Sequence, residues 1–227
     1  MCKNRCVHRF ENLSDSLRSF FARLGSRTPT PTTSLPERID YLILGLGNPG
    51  SNYEATRHNV GYMAIDDILA RRGDILTPVA GTPLSIAALE HEGRSIVLAR
   101  SHTYMNNSGE AIEALHRHLE LDAEHVIVIH DELDLPAGTV KIKRGGNENG
   151  HNGLKSLSAA LGTRDYVRVR IGIGRPPQSE PVAIPVWVLG PIDPSPEMEQ
   201  AIARAAEGAW LAASDSLSAA QNTTNRR

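Results

Sequence analysis

One histidine, one aspartate and several carboxamides in this chain have the chemistry needed to hydrolyse a carbonyl compound. His58 precedes a segment of helical spacing, and Asp131 follows a short apolar run. A carboxylate that holds one imidazole nitrogen fixes the tautomer, so the other nitrogen can take a proton from water. The amide N–H groups of Asn48 can stabilise charge on a carbonyl oxygen. These residues predict water activated by His58, although an ordinary surface or capping role for this histidine stays open.

Two other chemistries are possible but less well supported. A covalent acyl-enzyme is disfavoured because no serine lies in a G-x-S-x-G turn, and Cys2 and Cys6 lie outside the predicted core. Asp131, Glu132 and Asp134 follow a buried strand and could instead hold Mg²⁺ for phosphoryl chemistry. That alternative needs a lysine and further acidic ligands that cannot be placed from the sequence. We therefore expect no metal.

The motif G-L-G-N-P-G at residues 45–50 matches the G-x-G-x-x-G fingerprint of dinucleotide-binding proteins. Pro49 counts against a nucleotide, because it lacks a backbone N–H where a pyrophosphate needs donors. The acidic residues about 20 positions on, Asp66 and Asp67, fall inside a predicted helix, whereas a ribose-binding carboxylate should end a second strand. We therefore expect no cofactor and interpret the motif as a turn after a buried strand.

Short apolar runs alternate with segments of helical spacing, which is typical of an α/β fold. A turn at Glu92-Gly93 joins two of the runs into a hairpin, so some strands pair antiparallel. We predict one domain at residues 39–213, with a mixed, mostly parallel twisted sheet flanked by helices. The predicted strands are 40–46, 84–90, 95–100, 126–129, 140–143 and 167–173, and the predicted helices cover 58–72 and begin near Ser108, Leu154 and Ser195. Ser108 and Ser195 are the predicted N-caps of their helices, and Pro196 is expected in the first turn of the last one.

The polar loops that carry the candidate residues follow predicted strands, so they should converge on the edge where α/β proteins bind ligands. In strand 167–173, Arg168 and Arg170 alternate with apolar residues, which predicts one solvated face. Basic residues dominate 141–175, where only Glu148 and Asp165 are acidic. Such a stripe beside a polar cleft favours a phosphate-bearing polymer, although a solvated sheet face would give the same pattern.

Both ends of the chain are predicted to lie outside the domain. Residues 1–38 combine an amphipathic segment with a Thr/Pro/Ser-rich linker, and we interpret them as a flexible extension. A transit peptide is the alternative, which Glu11 and Asp15 disfavour. Residues 214–227 are polar and should be frayed.

Composition narrows the class of protein further. The net charge of −2 argues against a wholly basic nucleic-acid-binding protein, although a local basic patch is compatible with it. No apolar run has the roughly 18 residues of a membrane span. Two cysteines give no disulfide framework, so a reducing, cytoplasmic location is expected.

Several motifs, in this order and spacing, resemble those of bacterial peptidyl-tRNA hydrolases. The resemblance implies an enzyme that hydrolyses, without a metal, the ester joining a peptide to the 3′ end of tRNA, and that acts as a monomer. The motifs are G-L-G-N-P-G (45–50), Y-x-x-T-R-H-N-x-G (53–61), T-Y-M-N-x-S-G (103–109), H-D-E-L-D-L-P-x-G (130–138), G-H-N-G-L-K-S (150–156) and R-I-G-I-G-R-P (170–176).

The resemblance also implies a role for each candidate residue. His58 resembles the base that activates water, Asp131 the residue that orients it, and Asn48 the amide near the scissile carbonyl. The residues implied in substrate binding are Asn106 and Asn152 for the peptide main chain and the water, Tyr53 and Tyr104 for the 3′-end site, and Lys143 and Arg170 for the tRNA 5′-phosphate.

One loop departs from the family pattern. Residues 145–150 read G-G-N-E-N-G, where the family has almost only glycine. Glu148 adds a negative charge near the expected RNA, so we expect altered affinity or loop motion and intact chemistry. A non-catalytic RNA-binding relative, similar to organellar splicing cofactors, is the alternative function. The complete set of polar residues favours the enzyme.

Overall fold

The computed structural model describes residues 32–119, 121–179 and 181–225. The amphipathic segment predicted in the N-terminal extension lies outside the described residues. The described part of the predicted linker contacts the domain: Thr33 forms a parallel bridge with Val79, and its N–H donates to Pro78 O at 2.9 Å. Leu35 packs against the core, and Ile39 is buried in it. The compact unit therefore begins near Thr32, before the predicted boundary at 39.

Within the described residues, the strands form one sheet with the order β2-β3-β4-β1-β5-β7-β6. Strands β4, β1, β5 and β7 pair in parallel, whereas β3 and β6 run antiparallel to their neighbours. The prediction of a mixed, mostly parallel sheet is confirmed. The strands are β1 (Tyr41–Gly45), β2 (Thr77–Pro78), β3 (Leu84–His91), β4 (Arg94–Ser101), β5 (Val126–Glu132), β6 (Val140–Arg144) and β7 (Val167–Gly172).

Helices cover both faces of the sheet, which explains why the central strands are apolar throughout. In β1, Ile43 packs on the face covered by α1 and α5, whereas Leu42 and Leu44 pack on the face covered by α2 and α3. Successive side chains thus enter two separate apolar layers. The helices are α1 (Val60–Arg72), α2 (Gly109–His116), α3 (Asn152–Leu161), α4 (Ile184–Val188), α5 (Pro196–Ser214) and α6 (Leu217–Thr224).

Of the two serines predicted to cap helices, the structure confirms Ser195 and contradicts Ser108. Ser195 caps α5 as predicted, since its side chain accepts from Met198 N and Pro196 occupies the first turn. The cap predicted at Ser108 is wrong, because a 3₁₀ turn, Met105–Asn107, precedes α2 and Ser108 already has helical backbone angles. Its hydroxyl instead donates to Met105 O at 2.8 Å.

The solvated face predicted for strand β7 is wrong. Arg168 is only 1% exposed, because β7 lies between β5 and β6 and the loop before α3 covers it. The buried guanidinium donates to Asn147 O at 2.8 Å and to Arg164 O at 3.2 Å, and it stacks over the ring of Tyr166. Alternation of charged and apolar residues therefore marked a buried, hydrogen-bonded arginine here.

The frayed end predicted for residues 214–227 is also wrong where the structure describes it. Residues 217–224 form α6, and Ala220 is fully buried. Asn225 pairs with the edge strand β6: its Oδ1 accepts from Ile142 N at 2.7 Å, and its Nδ2 donates to Ile142 O at 2.9 Å. One carboxamide thus satisfies backbone groups that an edge strand would leave unpaired.

No helix in the described ranges is both long and apolar enough to cross a membrane.

Candidate active site

The carboxyl ends of β1 and β5 and the start of α1 form the centre of the site. Gly45 and Ile129 are partners in the parallel ladder, and Leu46 N donates to Ile129 O at 2.9 Å. Gly61 brings α1 onto these strand ends, since a Cβ there would lie 2.4 Å from Ile129 O and 2.5 Å from Leu46 O. The 3₁₀ turn Arg57–Asn59 precedes this glycine, so its residues are placed beside the strand ends.

His58 and Asp131 are in direct contact in this arrangement. His58 Nδ1 lies 2.8 Å from Asp131 Oδ1, and the Asp131 side chain is 2% exposed. Strand β5 extends through Glu132, so Asp131 belongs to the strand and does not follow it as predicted. Because the ionised carboxylate can only accept, Nδ1 carries the proton and Nε2 keeps a free lone pair. His58 Nε2 is therefore the basic nitrogen of this pair.

A second imidazole, which sequence reasoning did not select, shares the same carboxylate oxygen. His151 Nε2 lies 3.0 Å from Asp131 Oδ1. Its Nδ1 accepts from Leu154 N at 3.3 Å as the cap of α3, so its proton is on Nε2. The usable signal was its position: His151 precedes a predicted helix in a polar loop, as His58 does.

Two opposing effects act on the ionisation of Asp131. Burial by itself disfavours the charged carboxylate, whereas the two imidazoles, His151 and His58, donate hydrogen bonds to it. The imidazoles prevail, and the pKa of Asp131 lies well below its usual range. Asp131 is therefore an acceptor throughout the neutral range and cannot act as the general acid.

His130 precedes Asp131 on β5 and is buried, with 1% of its surface exposed. Its Nδ1–H donates to Asp131 O at 2.6 Å, and its ring lies edge-on to that of His151, with 5.2 Å between centroids. Burial first, and then the neighbouring His151, lowers the pKa of His130 to about 3. His130 is thus a neutral imidazole next to His151.

This buried imidazole should make folding sensitive to acid. Below an ordinary histidine pKa of 6.5 the unfolded chain binds a proton, whereas folded His130 binds none until pH approaches about 3. The free energy of unfolding should therefore fall by about 1.4 kcal/mol per pH unit as pH is lowered through this window. His130→Asn keeps an N–H donor and removes the titration, so urea unfolding near pH 6 and pH 5 should show a flatter dependence. Equal slopes for the two proteins would contradict this assignment.

Asn48 is fixed by contacts that select the orientation of its amide. Its Oδ1 accepts from Met105 N at 2.8 Å, and its own N–H donates to Asn59 Oδ1 at 2.8 Å. Asn59 Nδ2 closes the pair by donating to Asn48 O at 2.9 Å. Because Oδ1 is engaged, the Nδ2 donors of Asn48 are the groups available to a ligand.

The side chains of Asn48, His58, Asp131 and His151 line one cavity of about 420 Å³. Of the four residues predicted to bind substrate, Asn106 and Asn152 also line the cavity, whereas Tyr53 and Tyr104 do not. The two tyrosine rings contact each other edge-on, with centroids 6.2 Å apart, and Tyr104 is 58% exposed. An apolar wall faces the polar groups and consists of Ile184, Pro185, Val188 and Leu189.

The predicted phosphate-binding cations lie on adjacent strands, with Lys143 on β6 and Arg170 on β7. Arg170 Nη1 is 3.6 Å from Glu132 Oε2. Burial, followed by repulsion from Arg170 and Arg168, lowers the pKa of Lys143, and Glu132 partly offsets this. The two candidate cations thus share one carboxylate, which leaves excess positive charge on this part of the sheet.

The donor atoms are arranged for hydrogen bonding, which is unfavourable for a metal at the same place. One nitrogen each of His58 and His151 and an oxygen of Asp131 lie within 4.8 Å of one another. A metal on His151 Nε2 would, however, move the ring proton to Nδ1, which faces the N–H of Leu154. For the Mg²⁺ alternative, Asp134 accepts twice from Arg175, and among the described residues it does not belong to the group of possible ligands around Asp131.

Comparison with known proteins identifies the family. A sequence profile described as peptidyl-tRNA hydrolase matches residues 42–227. Peptidyl-tRNA hydrolase 2 of Corynebacterium glutamicum is 49% identical over 198 residues, covering 87% of this chain and 93% of the relative. Peptidyl-tRNA hydrolase of Nocardia farcinica is 45% identical over 183 residues, covering 80% of this chain and 94% of the relative.

The fold agrees with these sequence matches. The crystal structure of peptidyl-tRNA hydrolase from Acinetobacter baumannii superposes with a TM-score of 0.74 at 32% identity. The match covers 83% of this chain and 97% of that one. The family resemblance inferred from the motifs is thus confirmed, and this chain belongs to the peptidyl-tRNA hydrolase family.

Proposed function

We propose that this protein hydrolyses the ester bond between peptide and tRNA in peptidyl-tRNA and so frees tRNA for reuse in translation. The single observation that carries the proposal is the contact of His58 Nδ1 with buried Asp131 at 2.8 Å, which leaves Nε2 as a base beside amide donors. Family membership supplies the substrate class. All proposed groups belong to one chain, so a monomer in the cytoplasm, where translation takes place, can carry the reaction.

The proposed mechanism uses only the side chains of the cavity. His58 Nε2 removes a proton from water, and the hydroxide attacks the ester carbonyl carbon. Asn48 Nδ2 donates to the oxyanion, while Asp131 stabilises the imidazolium through Nδ1. The bond between the carbonyl carbon and the ribose oxygen then breaks, and the imidazolium returns its proton to that oxygen. The products are tRNA with a free 3′ hydroxyl and the carboxylic acid of the peptide, which loses its proton to solvent.

The surroundings of the cavity suggest where the substrate binds. Asn106 and Asn152 can hold the peptide main chain, and the apolar wall of α4 can contact its side chains. Tyr53 and Tyr104, outside the cavity, are assigned to the 3′ end of the tRNA by the family motifs. Lys143 and Arg170 are assigned to the 5′-phosphate, in agreement with the excess positive charge of this part of the sheet.

The assay that tests the function measures peptide release from purified peptidyl-tRNA, with and without EDTA. Release that survives EDTA is the expected result. Release abolished by EDTA would contradict the metal-free mechanism. No release by the folded protein would overturn the enzyme assignment and favour the RNA-binding alternative.

A separate prediction concerns the contribution of Lys143 and Arg170 to tRNA binding. Lys143→Ala and Arg170→Ala should each weaken tRNA binding and reduce the slope of log K against log salt by about 1, because one phosphate contact is lost. Arg71→Ala is the matched control, since Arg71 pairs with Asp67 at 2.7 Å on the exposed side of α1. An unchanged salt slope in both clamp variants would contradict the assignment.

A further inference from the structure

The loop at residues 145–150, with the sequence G-G-N-E-N-G, forms one side of the cavity. It connects β6 to the segment before α3. Glu148, Asn149 and Gly150 all line the cavity next to His151. Gly145, Gly146 and Gly150 have positive φ, and Asn149 has a φ of 48°. Many conformations are accessible to such a glycine-rich backbone unless side chains hold it in one of them.

Two arginines donate hydrogen bonds to this loop: Arg164, which precedes β7, and Arg168, which lies on β7. Glu148 is 7% exposed, and its Oε1 accepts from Arg164 Nε at 2.5 Å. Arg168 Nη1 donates to Asn147 O at 2.8 Å. The hydrogen bond from Arg164, the largest contribution, lowers the pKa of Glu148. The expectation that Glu148 presents a free negative charge to RNA therefore gives way to an inward-facing, paired carboxylate.

Two hydrogen bonds connect Glu148 to Asp131 through His151. His151 N donates to Glu148 O at 2.8 Å, so the backbone that carries Glu148 also fixes the start of His151. The His151 side chain then donates to Asp131 at 3.0 Å. At the other end of the loop, a Cβ on Gly146 would lie 2.5 Å from Lys143 Nζ. The loop therefore contacts both the candidate phosphate-binding lysine and the partner of Asp131.

We infer that Glu148 and Arg164 are positioning residues for the reaction, because their ion pair holds loop 145–150 so that His151 keeps its hydrogen bond to Asp131. The inference rests on the proposed function. The ion pair acts on the chemical step because His151 helps to hold Asp131 Oδ1, the oxygen that accepts from His58 Nδ1. It contributes little to RNA affinity.

The test compares Glu148→Gln with wild type in peptide release. Loss of the charged hydrogen bond should lower kcat roughly tenfold, with KM and tRNA affinity nearly unchanged. In histidine labelled with ¹⁵N, the His151 ring signals should change from a single tautomer, protonated at Nε2, to a tautomer mixture. Glu207→Gln is the matched control, because Glu207 forms an exposed pair with Arg71 at 3.7 Å and does not line the cavity.

A double-mutant cycle makes the test independent of Glu148 alone. Arg164→Gln changes an exposed residue and should reproduce the lower kcat, and the double variant should be no slower than either single variant. A lower KM with unchanged kcat in Glu148→Gln would overturn the inference in favour of simple repulsion of RNA. Wild-type kcat in both single variants would also overturn it. If wild type releases no peptide, the proposed function fails, and the ¹⁵N signals of His151 still decide whether the pair holds the loop.

Discussion

Replacing His58 by alanine is expected to slow peptide release roughly 10²–10⁴-fold, the usual contribution of a general base. The reason is local: Nε2 is the nitrogen left free when Nδ1 donates to Asp131 at 2.8 Å. Affinity for tRNA should change little, because the candidate phosphate contacts lie on β6 and β7. Single-turnover release from saturating enzyme separates the chemical step from substrate binding.

The matched control for this variant is His118→Ala. His118 is exposed and follows α2, and it does not line the cavity. It should retain wild-type turnover. If His58→Ala also retained wild-type turnover on purified peptidyl-tRNA, the assignment of the base would be wrong, whatever the family membership.

Asp131→Asn should cause the second large loss, again roughly 10²–10⁴-fold in turnover. The carboxylate accepts from His58 and His151 at the same oxygen, at 2.8 and 3.0 Å. An uncharged carboxamide no longer stabilises the imidazolium formed in the reaction. Its NH₂ group can also face an imidazole nitrogen, which forces the tautomer that has no free Nε2 lone pair. The measurement is kcat beside tRNA affinity, with folding checked by urea unfolding.

Asp134→Asn distinguishes this account from the Mg²⁺ alternative. Asp134 accepts from Arg175 Nη2 at 2.7 Å and makes no described contact with Asp131. Turnover close to wild type is expected for this variant. An equal loss in Asp134→Asn and Asp131→Asn, restored by added Mg²⁺, would favour the acidic residues as metal ligands.

Much of the fold followed from local patterns in the sequence. The apolar run of β1 and the hairpin turn at Glu92-Gly93 identified strands that the structure contains, because local periodicity and turn chemistry determine such elements. The same reasoning selected His58, Asp131 and Asn48, which lie around one cavity. Polar residues that end a buried strand or begin a helix are informative, since ligands bind at that edge of an α/β sheet.

What could not be predicted depends on contacts between distant parts of the chain. Arg168 looked solvated because its partners, Asn147 O and Arg164 O, are set by the path of a loop. The helix after residue 216 looked frayed because its anchor, Asn225, pairs with Ile142, which is 83 positions away. His151 escaped selection because its contact with Asp131 requires the start of α3 to approach β5.

The most direct test of the proposed centre is to determine which ring nitrogen of His58 carries the proton in the free protein. Long-range ¹H–¹⁵N spectra of protein with labelled histidine report which ring nitrogen carries the proton. At neutral pH, His58 should be protonated at Nδ1 with Nε2 unprotonated, and Asp131→Asn should abolish this preference. A His58 signal with the proton on Nε2 in wild type would contradict the account, because the nitrogen facing the substrate would then have no lone pair to accept a proton from water.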